Sequence, residues 1–213
     1  MKRLLAILLL SCSISISASG RDSLLIMFWN VENFFDYVDG GMSESDKEFS
    51  SSGSRRWTKK KFHTKCDAVA KSLFWTAEEY GRMPDVVGFA EVENRGVLTR
   101  LLNNTLLRKQ GYRVVHYDSP DRRGIDVALL YRESVFRKIS SSVKVPEYKG
   151  ERLRTRYILQ VCLEDNMGQN INMIVNHHPS KYGGAEESEG RRNAAMAALK
   201  EMCDSLISLG QGQ

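Results

Sequence analysis

The chain predicts an α/β protein, α+β in its later half, built on mixed sheets with two of them face to face and helices outside. Three observations carry this. Apolar runs at 24–30 (LLIMFWN), 84–91 (PDVVGFAE) and 171–178 (INMIVNHH) have strand length and read as strands buried on both faces. Helical periodicity fills the gap after the first run and again after the second. The later strands instead follow one another by short turns, so they pair as hairpins.

The first twenty residues stand apart. Lys2 and Arg3 precede the apolar run Leu4–Leu10, and small residues close it at Ala18-Ser19-Gly20. A positive head, a short apolar segment and a small-residue end describe an export signal, too short to remain as a membrane span. Cleavage is expected near Ala18 or Gly20. Leu9-Leu10-Ser11-Cys12 also reads as a bacterial lipoprotein signal, with Cys12 the lipidated residue. Either way the protein is expected outside the cytoplasm, with no transmembrane span left and residues 21–213 forming one partial domain.

After the first strand, residues 38–56 are rich in Gly, Ser and charge and read as a long surface loop. A helix begins near Trp57, with Phe62, Cys66, Val69, Leu73, Ala77 and Tyr80 as its buried stripe and Gly81 and Pro84 as its stop. The strand at 85–90 then delivers Glu91. A second helix over about 95–109 buries Val97, Leu98, Leu101, Leu102, Thr105 and Leu106, and Gly111 ends it. Strands follow at 112–117, 126–132, about 136–145, 154–163 and 171–176, with Asn166-Met167-Gly168 turning between the last two. A final helix at 191–209 buries Ala195, Ala198, Leu199, Met202 and Leu206.

Composition excludes little by itself. A length of 213 residues suits one domain or part of a larger one, and 42% hydrophobic with 27% charged residues is ordinary globular usage. The net charge is +5, and Lys2 and Arg3 supply two of those charges. That balance suits a phosphate-bearing substrate without specifying nucleic acid. Three cysteines lie beyond the leader, Cys66, Cys162 and Cys203. They fall at apolar-phase positions and read as core thiols, with no metal spacing. No GxGxxG or GxxxxGKS/T follows a strand, which disfavours dinucleotide and P-loop chemistry.

The polar residues at the strand ends carry the functional reading. Glu91 follows Phe89-Ala90 in a buried strand, where a carboxylate is costly unless paired or metal-bound. Such an oxygen suits Mg²⁺, Mn²⁺ or Ca²⁺. Asn30 either caps a turn or orients a metal-bound carboxylate through its amide. His177 and His178 can donate to a phosphoryl oxygen or exchange a proton near neutral pH. Neighbours on an extended chain point opposite ways, so one of the two faces a given site. Zinc is a weak reading of this pair without a third nearby ligand. Ser180 and Lys181 follow, with Lys181 placed to contact phosphate if its loop folds over. Arg154 and Arg156 alternate with Leu153 and Thr155 and share one face of a strand, as candidate phosphate contacts. Arg123 precedes Asp126, which either starts a strand in a turn or joins the site. The run Arg55, Arg56, Lys59, Lys60, Lys61 is a solvated helix start that could steer a polyanion.

Four segments in order, WNVENFF, GFAEVEN, RGIDVALLYR and VNHHPSK, resemble the endonuclease/exonuclease/phosphatase superfamily over residues 24–205. The resemblance is to its secreted bacterial branch in particular. It implies a four-layer α/β/β/α sandwich of two mixed sheets and metal-dependent hydrolysis of a phosphoester, with nucleic acid or another phosphodiester as substrate and a monomeric protein. It implies Asn30 near the metal, Glu91 as the Mg²⁺ ligand, and His177 as the catalytic histidine with His178 as the alternative. Apart from the resemblance, Ser180, Lys181, Arg123 and Arg156 are candidate phosphate contacts and Asp126 a candidate catalytic residue. The family also carries a late Gly-Asp-x-Asn and a terminal Ser-Asp-His, neither of which occurs in this sequence. The chain therefore reads as an N-terminal fragment with the C-terminal part missing. The competing functions are a phosphatase- or phospholipase-type member of the same family, a non-catalytic remnant or binding module, and a glycosidase using Glu91 and Glu93 as paired carboxylates.

Overall fold

A computed structural model describes residues 23–38, 40, 43–181 and 183–210. The export segment, with Cys12, lies outside the described residues. The elements are β1 (Ile26–Phe34), α1 (Glu44–Glu48), α2 (Lys59–Tyr80), β2 (Val86–Val92), α3 (Arg95–Asn104), β3 (Tyr112–His116), β4 (Asp126–Arg132), β5 (Phe136–Lys144), β6 (Glu147–Tyr148), β7 (Glu151–Arg152), β8 (Ile158–Asp165), β9 (Asn170–Val175) and α4 (Ala185–Ser208).

Two sheets face each other. The first has the order β1-β2-β4-β3 and is mixed, since β1 runs parallel to β2 while the other pairs are antiparallel. The second, β5-β8-β9, is antiparallel throughout. Strand side chains alternate between faces. Val86, Ala90, Val127 and Leu129 therefore meet Phe136, Leu159, Val161, Leu163 and Val175 from the second sheet. The opposite face, with Val87, Phe89, Val92, Ala128 and Leu130, packs under Phe62, Cys66, Val69 and Leu73 of α2 and Val97, Leu98 and Leu101 of α3. On the far side, α4 rests against β5 and the β6–β7 hairpin, tied by the Lys144–Glu201 ion pair at 2.7 Å. The layers are thus helix, sheet, sheet, helix, as the sequence pattern predicts.

Local chemistry explains the helix limits. Thr58 caps α2 by accepting from the Lys61 N–H, and Gly81 ends it in the left-handed region at φ 69°. Asn94 caps α3 in the same way through Val97. The helix expected to run to 109 breaks at Thr105. Its hydroxyl bonds back to the Leu101 carbonyl and accepts from the Leu107 N–H, restarting the chain as a 3-10 turn at Leu106–Lys109 and leaving Leu106 exposed.

Several other expectations need correction. Only β2 of the three apolar runs is buried on both faces; β1 and β9 are edge strands among the described residues, and Ile26 and Phe28 are exposed. Residues 38–56 are not simply a surface loop. They hold α1, and Asp46 and Ser50 are buried. Tyr80 is exposed rather than part of the α2 stripe. The strand expected from 154 begins at Ile158, so Arg154 and Arg156 share no strand face, and the β6–β7 hairpin occupies the preceding stretch. The last helix starts at Ala185, six residues before the predicted start. All three cysteines are free, and only Cys66 is fully buried. No described helix is long and apolar enough to cross a membrane.

Candidate active site

The first two strands lose register at one place, and the site is built there. Asn30 pairs with Ala90 and Phe34 with Val92, so Val31, Glu32 and Asn33 stand opposite Glu91 alone. On its other side Glu91 is again skipped, with Ala90 opposite Val127 and Val92 opposite Asp126. Such bulges re-aim a side chain out of the ladder. Three non-glycine residues there adopt left-handed backbone, Glu32 (φ 53°), Asn33 (φ 56°) and Glu91 (φ 65°). Each conformation of that kind costs roughly 1–3 kcal/mol and persists where the surroundings enforce it, commonly at functional sites.

The strain gathers groups around the Glu91 carboxylate. Asn33 N–H donates to Oε2 at 3.1 Å, and Glu32 N–H donates to Asn30 Oδ1 at 2.9 Å. With its carbonyl so held, the Asn30 amide donates to Glu91. His177, just past β9, brings Nε2 to 3.3 Å from Oε1, and Arg123 brings a guanidinium nitrogen to 3.6 Å of the same oxygen. Burial pushes the Glu91 carboxyl up. Asn30, Arg123, the Asn33 N–H and His177 together outweigh it and hold the group below its ordinary value. His177 is shifted down by burial first and then by Arg156, against the raising effect of Glu91, which favours the neutral ring.

The remaining sequence-predicted residues divide. Arg156 is not a free phosphate contact. Its side chain is 6% exposed, it pairs with Asp121 at 2.9 Å, and it donates to the His177 and His178 carbonyls. It acts as a clamp on the segment that presents His177. His178 has its own pKa lowered by burial and then Arg156, and among the described contacts it is His177 that reaches Glu91. Ser180 and Lys181 lie exposed just beyond. Asp126 is not among the partners of Glu91. It is buried, accepts from the Ser119 backbone N–H at 3.0 Å and from the Ser119 hydroxyl, and faces His116. Burial drives its carboxyl above the ordinary value, and the attraction of His116 and Ser119 offsets part of that. Glu93 is paired with Asp46, with burial first and then that contact raising its carboxyl, so it forms no two-carboxylate cleft with Glu91.

Sequence reasoning missed Lys65. From α2 its ammonium donates to the Glu32 carbonyl at 2.6 Å and lies over the Phe34 and Trp57 rings, bracing the strained turn. One position before Cys66 of the buried stripe, it looks like any helix-flank lysine. Asp121 was also missed, because only the fold brings it to Arg156. Among the described residues, His116, Asp118 and Asp126 present donor atoms within 4.8 Å of one another, as a metal site would.

Comparison with solved structures gives the same fold. The human Nocturnin catalytic domain, solved with bound sulfate, matches with a TM-score of 0.53 at 18% identity, over 89% of this chain and 60% of that one. An endonuclease/exonuclease/phosphatase family protein from Bacteroides thetaiotaomicron matches at 0.52 and 14%, over 86% and 58%. A functionally unknown conserved protein from Enterococcus faecalis V583 matches at 0.53 and 16%, over 87% and 63%. The chain thus spans less than two thirds of each structure it resembles. No curated protein sequence matches it. The profile of the Endonuclease/Exonuclease/phosphatase family, however, matches residues 25–212, and the chain belongs to that family.

Proposed function

We propose that the protein takes part in divalent-metal-dependent hydrolysis of phosphodiester bonds, as an exported hydrolase of endonuclease type acting as a monomer on nucleic acid. The observation that carries this reading is the ionised Glu91 carboxylate, turned out of the strand ladder by a strained bulge and met by Asn30, His177 and Arg123. Family membership supports the reaction class. The export leader read at residues 1–20 supports the location, and Arg123 beside Glu91, with Arg122 and Lys181 near site residues in sequence, supports a polyanionic substrate.

The donor set fits a hard cation, Mg²⁺ first and Mn²⁺ or Ca²⁺ as alternatives. Such ions bind through one or two carboxylates and keep several waters, completing their shell with substrate phosphate. Glu91 would hold the ion, and Asn30 would fix the carboxylate's orientation. When bound, the cation stabilises charge on the phosphoryl oxygens and acidifies a bound water. His177 Nε2, 3.3 Å from Oε1, stands where a phosphoryl oxygen drawn to a cation on Glu91 would arrive, and its N–H would turn from Oε1 to donate to that oxygen, with Arg123 adding positive charge beside it. Ser180 and Lys181 would meet the substrate from the exposed segment.

A second reading is a metal- and nucleic-acid-binding module without turnover, supported by the pairing of a cation-binding carboxylate, Glu91, with the positive charge of Arg123 3.6 Å away. The test is Mg²⁺-dependent cleavage of DNA, RNA and small phosphodiesters by the chain and by its Glu91→Ala variant. Cleavage reduced at least about a hundredfold in the variant is expected. Cleavage unaffected by Glu91→Ala would overturn the metal-ligand role. Binding of DNA with no cleavage of any substrate would establish the binding module.

A further inference from the structure

Behind the bulge, on the helix-facing side of the first sheet, lies a cleft of 520 Å³ with Asp118, Asp121, Asp126, Glu93 and Arg154 in its lining. His116 pairs with Ala128 across β3 and β4, so its ring falls on the same face as Asp126, two residues earlier in β4. That ring is only 1% exposed. Its Nε2 stands 3.2 Å from Asp126 Oδ2, a close contact without hydrogen-bond geometry. A buried imidazole nitrogen left so is costly and calls for an explanation.

A shared metal ion supplies one. Two ligands bound at about 2.0–2.1 Å to nitrogen and about 2.0–2.2 Å to oxygen, at near-tetrahedral angles, stand about 3.3–3.5 Å apart. The observed separation of 3.2 Å lies just below that range, so a small side-chain shift admits an ion between the two groups. Asp118 stands at the cleft mouth with its side chain 86% exposed, and one donor atom from each of the three residues lies within 4.8 Å of the others. Asp118 Oδ1 approaches the other ring nitrogen, Nδ1, at 3.9 Å, so its exposed side chain must turn toward Nε2 to close the set.

We propose that His116, Asp118 and Asp126 form a second cation site, distinct from Glu91, that takes a transition metal of the Mn²⁺ or Zn²⁺ class. One imidazole nitrogen with two carboxylate oxygens suits those ions, whereas Mg²⁺ and Ca²⁺ prefer all-oxygen shells. The ion sits at the root of the loop from residue 117 to 125. That loop carries Arg123 to Glu91 and Asp121 to Arg156, so its role is to fix the loop's position.

The test uses the whole chain carrying Glu91→Gln, stripped with a chelator and titrated with Mn²⁺ in excess Mg²⁺, with free Mn²⁺ read by electron paramagnetic resonance. A single bound Mn²⁺ equivalent is expected, displaced by Zn²⁺ and not by Mg²⁺. Adding Asp118→Asn, an exposed change that leaves the core intact, should weaken it at least about tenfold. His116→Gln, checked for folding by circular dichroism, should abolish it. No Mn²⁺ retained by the Glu91→Gln chain, or affinity unchanged by Asp118→Asn, overturns the proposal and leaves an ordinary buried His–Asp pair. The outcome is independent of whether the protein cleaves phosphodiesters.

Discussion

Arg156 offers the sharpest test of how the site is held. Its guanidinium and the Asp121 carboxylate are each 6% exposed and 2.9 Å apart, and the same guanidinium bonds the carbonyls of His177 and His178. Truncating one partner of a buried pair leaves the other charge without compensation and costs about 3–5 kcal/mol. A urea slope of about 2 kcal/mol per molar converts that to a midpoint lowered by about 2 M for Arg156→Ala. The control is Arg137→Ala, which breaks a pair with Glu164 in which the arginine is 70% exposed, and it should cost under about 1 kcal/mol. Arg156→Lys keeps the charge but cannot fork to three acceptors, so it should fall between them. Replacing both partners, Arg156→Met with Asp121→Leu, should recover much of the loss, because no buried charge then remains. Urea denaturation followed by tryptophan fluorescence reads all five chains. An Arg156→Ala midpoint no lower than that of Arg137→Ala would show the pair to be solvated and the clamp argument to be wrong.

Three further outcomes are expected. At Glu91, whose φ is 65°, Glu91→Gly should be more stable than Glu91→Ala by about 1 kcal/mol, since only glycine adopts that conformation freely; equal melting temperatures would remove the strain from the account. Burial, and then the contact with Asp46, push the Glu93 carboxyl up to about 8. A raised carboxyl contributes stability that is complete below its ordinary value near 4.5 and is lost as pH climbs through about 8. Glu93→Gln should therefore flatten the urea midpoint between pH 5 and pH 9, and an unchanged slope would refute the protonated pair. At the open edge of β1, Phe28 is 58% exposed, so Phe28→Lys should reduce aggregation on heating, read by light scattering, without lowering the melting temperature.

Much of this architecture is legible in local pattern. β2 and β4 are read from unbroken apolar runs, and α2 from its stripe with a threonine cap and a stop glycine. What escaped reading is long-range. LLIMFWN and INMIVNHH look as buried as PDVVGFAE, because apolar content does not say which strand lies at an edge. Arg156 looks like a strand-face arginine, because nothing near it in sequence announces Asp121, 35 residues away. Asn30, Glu91 and His177 were legible as a set because each ends an apolar run. Lys65 was not, since its partner is a backbone carbonyl that exists only where β1 bulges.

The loop from 117 to 125 connects these pieces mechanically. Its Asp121 holds Arg156 and so the His177 segment; its Arg123 approaches Glu91; its ends, Asp118 and Asp126, flank His116. Gly124 fits it to α1. At φ 66° a Cβ there would come within 2.6 Å of the Ser43 hydroxyl, which itself caps α1 and donates to the Arg123 carbonyl. Gly124→Ala is therefore strained twice, by its backbone and by its neighbour, and relief requires shifting Arg123 or α1. Because Arg123 is one of the groups that hold the Glu91 carboxyl down, displacing it should raise the acid limit of Mg²⁺ binding at Glu91. Isothermal titration of Mg²⁺ against pH in Gly124→Ala reads that shift directly. The same shift from Arg123→Ala would confirm that the loop acts through the guanidinium; a pH limit unmoved in both variants would disconnect the loop from the site.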